Sequence, residues 1–154
     1  MPELTLTNPD PKLTIPWFYN VTMAVGPGRA NQKLDVKLVQ FLLMKVFNHP
    51  TKLSKRPSGP GITVDGKYGP ITGKYIFAFQ MTCGNLTIDG LVDHANSNCG
   101  TISHTFYTIL ALNHIYDKCY GDLDAPWVND PTMDNELAWT MFAISSQAKT
   151  GVAA

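Results

Sequence analysis

Apolar residues recur at helical spacing in four stretches of this chain, separated by turn-forming residues. In the first, Val36, Val39, Leu43 and Phe47 repeat at intervals of three and four, with Asp35 placed to cap the N-terminus. Leu38, Phe41, Leu42 and Met44 widen the stripe beyond one face, which predicts a helix with neighbours on two sides. Pro50 disfavours α geometry at His49 and ends it at Asn48-His49. In the second, Pro70 suits the first helical position, where its missing N–H costs nothing. Thr72, Tyr75, Ile76 and Phe79 then share a face, and Gly73 inside the helix predicts a close helix approach. The third takes Phe106, Ile109, Leu110, Leu112 and Ile115 as core, running to about Tyr116. The fourth starts at Asp130 as N-cap with Pro131 in first position, and ends around Lys149 to Gly151. Its stripe is Met133, Leu137, Met141 and Ile144, accompanied by Trp139 and Phe142, and must be buried on the bundle or on a partner.

Before the first helix the pattern changes. Pro2, Pro9, Pro11 and Pro16 disfavour helix, and Leu13–Ile15 and Trp17–Val25 read as extended chain, an arm or strand lying on the domain. Trp17, Phe18 and Tyr19 form the densest aromatic cluster; covering apolar surface is its expected use, with stacking on sugar rings or a neighbouring subunit as the sharper one. Asn20-Val21-Thr22 fits a glycosylation acceptor, a short motif meaningful only on a eukaryotic secretory route. Gly26-Pro27-Gly28 is a turn and lacks the spacing of a phosphate cradle.

The turns flanking the second helix repeat one phrase, Ile62-Thr63-Val64-Asp65-Gly66 and Leu86-Thr87-Ile88-Asp89-Gly90. Asp can bond its own nearby backbone and Gly accepts positive φ, so each pair predicts a chain reversal, with Val64 and Ile88 pointing inward. The amides of Gln40 and Gln80 are expected to satisfy backbone groups of these turns in preference to contacting a ligand.

Val36-x-x-Val39-Gln40, Asp65-Gly66-Lys67-Tyr68-Gly69-Pro70-Ile71-Thr72, Phe79-Gln80 and Asp89-Gly90, in that order, resemble the peptidoglycan-binding domain family over roughly residues 26–116. The resemblance implies a mainly α fold: a small three-helix bundle, here with an extended N-terminal arm (1–25), a helical domain (26–120), and a linker and extra C-terminal amphipathic helix (121–154) packed on the domain or a partner. It implies a non-catalytic module whose ligand is peptidoglycan glycan or stem peptide, contacted by Lys67, Tyr68 and Thr72. Two departures stand out: the loop 51–61 is longer than the family's, and Asp93 to Gly100 intervenes before Thr101, where the family has a second Gly and Thr soon after Asp-Gly.

Composition narrows the picture. The 154 residues suit one domain with extensions, and with 12 basic against 12 acidic residues nothing demands nucleic acid as a partner. Basic residues crowd the first third and acidic ones the last, which permits head-to-tail association. No stretch has the length of a membrane span, and the N-terminus lacks the basic and apolar regions of a signal peptide. Synthesis in the cytoplasm, with release by lysis, by injection or inside a particle, is the expectation. Cys83, Cys99 and Cys119 have no metal spacing; reduced thiols are expected over a Cys83–Cys99 bridge.

Chemistry is sparse. Only Glu3 and Glu136 supply glutamate, whereas a glycosidase sets two carboxylates across the scissile bond, and Asp65 and Asp89 are better explained as turn-formers. His49, His94, His104 and His114 are scattered, with His94 near Asp93 and Cys99 the nearest approach to a ligand cluster. No catalytic residue, metal ligand or cofactor is expected. The alternative function is a structural subunit of a phage tail, injection apparatus or filament, self-associating through Trp17, Phe18, Tyr19 and the C-terminal helix.

Overall fold

The computed structural model describes residues 2–6, 15, 17–49, 56–96, 106–121 and 133–149, with side chains to 144 in the last segment. Two short strands, β1 (Glu3–Leu6) and β2 (Trp17–Asn20), precede four helices: α1 (Lys33–Asn48), α2 (Pro70–Cys83), α3 (Thr108–Tyr120) and α4 (Asn135–Lys149). The molecule is mainly helical. α1 is central and touches α2, α3 and α4, which accounts for its broad apolar surface: Val36, Leu38, Val39, Phe41, Leu42, Leu43, Val46 and Phe47 are all buried. Tyr116 of α3 joins this core and packs against Phe41 with ring centroids 6.1 Å apart. Ile115 and Phe106, both expected in the core, are only half buried.

The N-terminal arm is part of the core. β1 and β2 pair antiparallel, Glu3 opposite Asn20 and Leu6 opposite Trp17. β2 lies on α3, where the Asn113 carboxamide imitates a neighbouring strand: the Tyr19 N–H donates to Asn113 Oδ1 (2.9 Å) and Asn113 Nδ2 donates to the Tyr19 carbonyl (2.9 Å). Phe18 and Tyr19 are fully buried, the packing use expected of the cluster, and this removes the two from the alternative reading as a self-association surface; Trp17, half buried, stacks edge-on to Tyr19 at 5.3 Å. Asn20 is also fully buried. It donates to Thr5 Oγ1 and the Ala95 carbonyl and accepts from the Ala95 N–H, which removes it as a glycosylation site in the folded chain. Val25 and Val92 exchange two backbone hydrogen bonds (2.9 and 2.8 Å), tying the end of the arm to the segment after the second Asp-Gly.

Asp35 does not cap α1. The helix starts at Lys33 after an extended Gln32, and the Asp35 carboxylate, buried in the first turn, reaches backward. It accepts from the Thr22 N–H, the Thr22 hydroxyl and the Met23 N–H, each at 3.1 Å, and so pins the arm's turn to the helix. An acid one turn into a helix satisfies both the helix dipole and a neighbouring chain.

The expected start of the last helix, Asp130-Pro131, lies outside the described residues. Within them α4 begins at Asn135, and Asp134 is its cap, accepting from the Leu137 N–H at 3.0 Å. Leu137, Met141 and Ile144 are buried against the rest of the core, and α4 meets α1 and β1. At its start Lys37, with only 8% of its side chain exposed, lies 2.9 Å from Asp134 Oδ2 and 3.3 Å from Glu136 Oε1. Burial alone would depress the Lys37 pKa, but hydrogen bonds to Asp134 and Glu136 outweigh it and raise the value. Asp134 is likewise pushed up by burial, yet the Leu137 N–H and Lys37 bring it below its ordinary value.

Two predictions follow from these ties. Asp35→Ala should destabilise the fold by about 3 kcal/mol, because three donors lose a charged acceptor; a urea titration reads it, and a shift under a third of that size would count against the pinning role. The lowered Asp134 pKa contributes stability that is present above pH 3.8 and lost as pH falls through the folded value. The raised Lys37 pKa contributes stability present below pH 10.5 and lost only as pH climbs through a still higher value. Unfolding free energy against pH should therefore fall at both extremes, and Asp134→Asn, which keeps the cap but not the charge, should flatten the acid limb.

Candidate functional site at the first aspartyl-glycine turn

The two Asp-Gly turns are built alike, down to individual hydrogen bonds. Gln40 of α1 is buried; its Oε1 accepts from the Asp65 N–H (3.0 Å) and the Gly66 N–H (2.9 Å). Its Nε2 is within donating distance of Asp65 Oδ1 (2.9 Å), the Lys67 carbonyl (3.0 Å) and Thr72 Oγ1 (3.1 Å). Gln80 of α2 repeats this with the Asp89 and Gly90 N–H groups, then with Asp89 Oδ1, the Leu91 carbonyl and Thr108 Oγ1. Each Asp also accepts from the N–H two residues on, Lys67 or Leu91, at 2.9 Å. One carboxamide thus joins a helix, a turn and the start of the next helix, twice in succession. The partner hydroxyl of the second clip is that of Thr108, in the first turn of α3.

Glycine is required in both turns. Gly66 and Gly90 have φ of 77° and 73°. A Cβ at Gly66 would stand 2.6 Å from Lys33 Cγ and 3.2 Å from the Lys33 carbonyl; one at Gly90 would stand 2.6 Å from the Phe77 ring. The inward anchors are Ile62 and Leu86, which are buried, whereas Val64 is half buried and Ile88 is exposed. The phrase enters the core three residues before each Asp because the reversal itself turns the nearer side chains outward. Gly73 does not mark a helix contact either: its missing side chain makes room for Tyr68, whose Oη would lie 2.5 Å from a Cβ there.

Beside the first turn opens a cleft of about 170 Å³, lined by Ile62, Thr63, Asp65, Lys67, Tyr68, Gly69, Pro70, Ile71 and Thr72, with Gln40 at its base. All three residues singled out in the sequence line it, with unequal freedom. Lys67 is exposed and Tyr68 is half buried. Burial raises the Tyr68 pKa, so the phenol stays protonated and can donate. Thr72 is buried with its hydroxyl accepting from Gln40, which makes it a framework residue more than a contact. The Lys67 N–H, then Gln40, hold the Asp65 carboxyl below its ordinary value, so the turn carries a fixed negative charge next to the Lys67 ammonium. A site of this kind can bind a small polar group through one cation, one phenol and an apolar wall.

Asp65 and Asp89 are each spent on their own turn. His94 turns its Nδ1 to the Val21 carbonyl at 2.8 Å, with Glu3 at 3.4 Å, and so closes the arm onto the core. Among the described residues no three His, Cys, Asp or Glu side chains come together as metal ligands. Cys83 is a free thiol whose pKa burial raises to about 11; Cys99 lies outside the described residues.

Gln40→Ala should leave two turn amides without acceptors and cost about 2–3 kcal/mol, with Gln80→Ala matching it within error. Guanidinium unfolding of both variants tests this; a large loss from one and none from the other would break the claimed equivalence. Gly66→Ala should be destabilising in the same assay, from positive φ and the Lys33 contact together.

No family model, no curated protein and no solved structure matches this chain.

Proposed function

We propose that this chain is a non-catalytic binding module for bacterial cell-wall peptidoglycan, of the peptidoglycan-binding domain type, with the cleft beside Asp65-Gly66 as its contact site. The observation that carries the reading is the pair of Gln–Asp-Gly–Thr clips, which make the residues of the sequence resemblance into one framework beside a cleft that Lys67 and Tyr68 line. Peptidoglycan stem peptides end in carboxylates, which Lys67 can pair with, and wall sugars present hydroxyls and apolar faces suited to a phenol and to Ile71. A cleft of about 170 Å³ takes one such group.

A second reading, a structural subunit of a phage tail, injection apparatus or filament, is favoured by one observation. Trp139 and Phe142 are exposed on α4, while the apolar stripe of the same helix is buried in the domain. The C-terminal helix, and not Phe18 and Tyr19, is then the surface a neighbour would meet.

Co-sedimentation with purified sacculi tests the first reading. The chain should pellet with sacculi, Lys67→Ala should reduce the pelleted fraction several-fold, and an Asn48→Ala control on the far end of α1 should not. Retention no better than that of an unrelated protein of equal charge would remove the reading. Labelled peptidoglycan should release no soluble fragments in the same tubes; steady release would overturn the non-catalytic part.

A further inference from the structure

The sequence of α2, Pro-Ile-Thr-Gly-Lys-Tyr-Ile-Phe-Ala-Phe-Gln-Met-Thr-Cys, is apolar around most of its circumference. A helix of that kind is ordinarily covered on all sides. Here Tyr75, Ile76 and Phe79 are buried, but Phe77 and Met81 on the other side are 45% and 66% exposed, with Lys74 exposed one turn before. On α4 a second stripe has the same form: Glu136, then Trp139 at 74% and Phe142 at 54% exposure, the two rings edge-on with centroids 6.4 Å apart.

We propose that copies of this chain associate head to tail, the Glu136–Trp139–Phe142 stripe of one copy docking on the Lys74–Phe77–Met81 stripe of the next. Three features select a second copy as the occupant. The stripes have the same order, one charge followed by two large apolar side chains at helical spacing. At 1.5 Å of rise per residue each runs roughly 10 Å, so parallel helices bring all three positions into register. Their charges are opposite: Lys74 against Glu136. The exposed Lys74 ammonium donates to the Ser58 carbonyl (3.1 Å) and has donors to spare, and the Glu136 carboxylate, which meets Lys33 and Lys37 through Oε1, is still half exposed with acceptor capacity to spare. The two stripes lie on different helices, so a docked copy keeps one of each. The contact is therefore heterologous and propagates into a ring or a filament instead of closing as a two-fold dimer. Three side chains a side fall short of the roughly 800 Å² per partner of a stable complex, so the association is weak in solution and strengthens with local concentration.

The inference does not depend on wall binding, since Met81 and Trp139 stand outside the cleft. Sedimentation velocity on the full chain, from micromolar to millimolar, should show a weight-average sedimentation coefficient that rises with concentration and falls back as salt is raised. Met81→Glu blocks one stripe and Trp139→Glu the other; each variant alone should stay monomeric across the series. Mixed in equal amounts, they retain one intact stripe apiece and should form a heterodimer that grows no further. Both positions are largely exposed, so thermal melts should match the wild type; Met81→Ser and Trp139→Ser repeat the experiment without new charge should either melt differ. A wild-type chain that is a monomer throughout, self-association surviving in either variant alone, or a mixture of variants that stays monomeric would each overturn the proposal. Sacculus binding of the same variants, read separately, distinguishes this failure from failure of the wall-binding reading.

Discussion

Buried side-chain carboxamides hold this fold together where regular secondary structure stops. Asn20, Gln40, Gln80 and Asn113 are all essentially inaccessible to solvent, and each offers its oxygen and its NH2 to backbone groups that belong to no helix ladder. A carboxamide suits the task because it carries an acceptor and donors on one plane, as a peptide group does, without the desolvation cost of a charge. A chain with long irregular connections must bury backbone N–H and C=O groups, and each left unpaired costs on the order of 1–3 kcal/mol. These side chains answer that cost one segment at a time: Asn113 for β2, Asn20 for the residue Ala95, Gln40 and Gln80 for the two reversals.

Such ties also make the candidate site a rigid one. The cleft wall is a turn in which Gln40 takes the Asp65 and Gly66 amides and the Asp65 carboxylate takes the Lys67 amide and the Gln40 NH2, so little can shift when a ligand arrives. The groups with freedom are the Lys67 ammonium and the Tyr68 phenol. The same turn rests on α1 through the stems of Lys33 and Lys37, whose ammonium heads hold the start of α4. Lysine serves both ends here because its stem is apolar and its head charged. The cleft and the C-terminal helix are thereby supported by the same two residues, which links the site proposed for the wall to the helix proposed for a neighbouring copy.

Much of this was legible along the chain, though unevenly. Helical spacing located α1, α2 and α3, Pro50 and Pro70 marked true boundaries, and the Asp-Gly pairs are reversals with glycine in the left-handed region. The turn-satisfying role of Gln40 and Gln80 was readable only through the resemblance, which has polar residues near its helix ends; spacing does not show it, since Gln40 stands 25 residues before Asp65 and Gln80 only 9 before Asp89. Errors arose where a residue's partner is distant. Asp35 looks like a cap from local sequence, yet its carboxylate turns to Thr22 and Met23 on the arm. Ile88 and Val64 alternate as though inward, but Ile62 and Leu86 are the anchors. Thr72 reads both as part of the Tyr75–Phe79 face and as a ligand contact; it is buried, and the amide of a residue 32 positions earlier claims its hydroxyl.

Periodicity, proline and glycine act over a few residues, so the sequence by itself determined where helices form and where the chain turns back. It also carried the order of motifs on which the wall-binding reading rests. Only the tertiary structure decided that Phe18 and Tyr19 go inside while Trp139 and Phe142 stay out, and that Lys37 is a buried clamp. Aromatic residues are equally at home in a core and on a docking face; which applies depends on what else is near enough to cover them. That is settled by contacts between segments tens of residues apart, which no local pattern encodes.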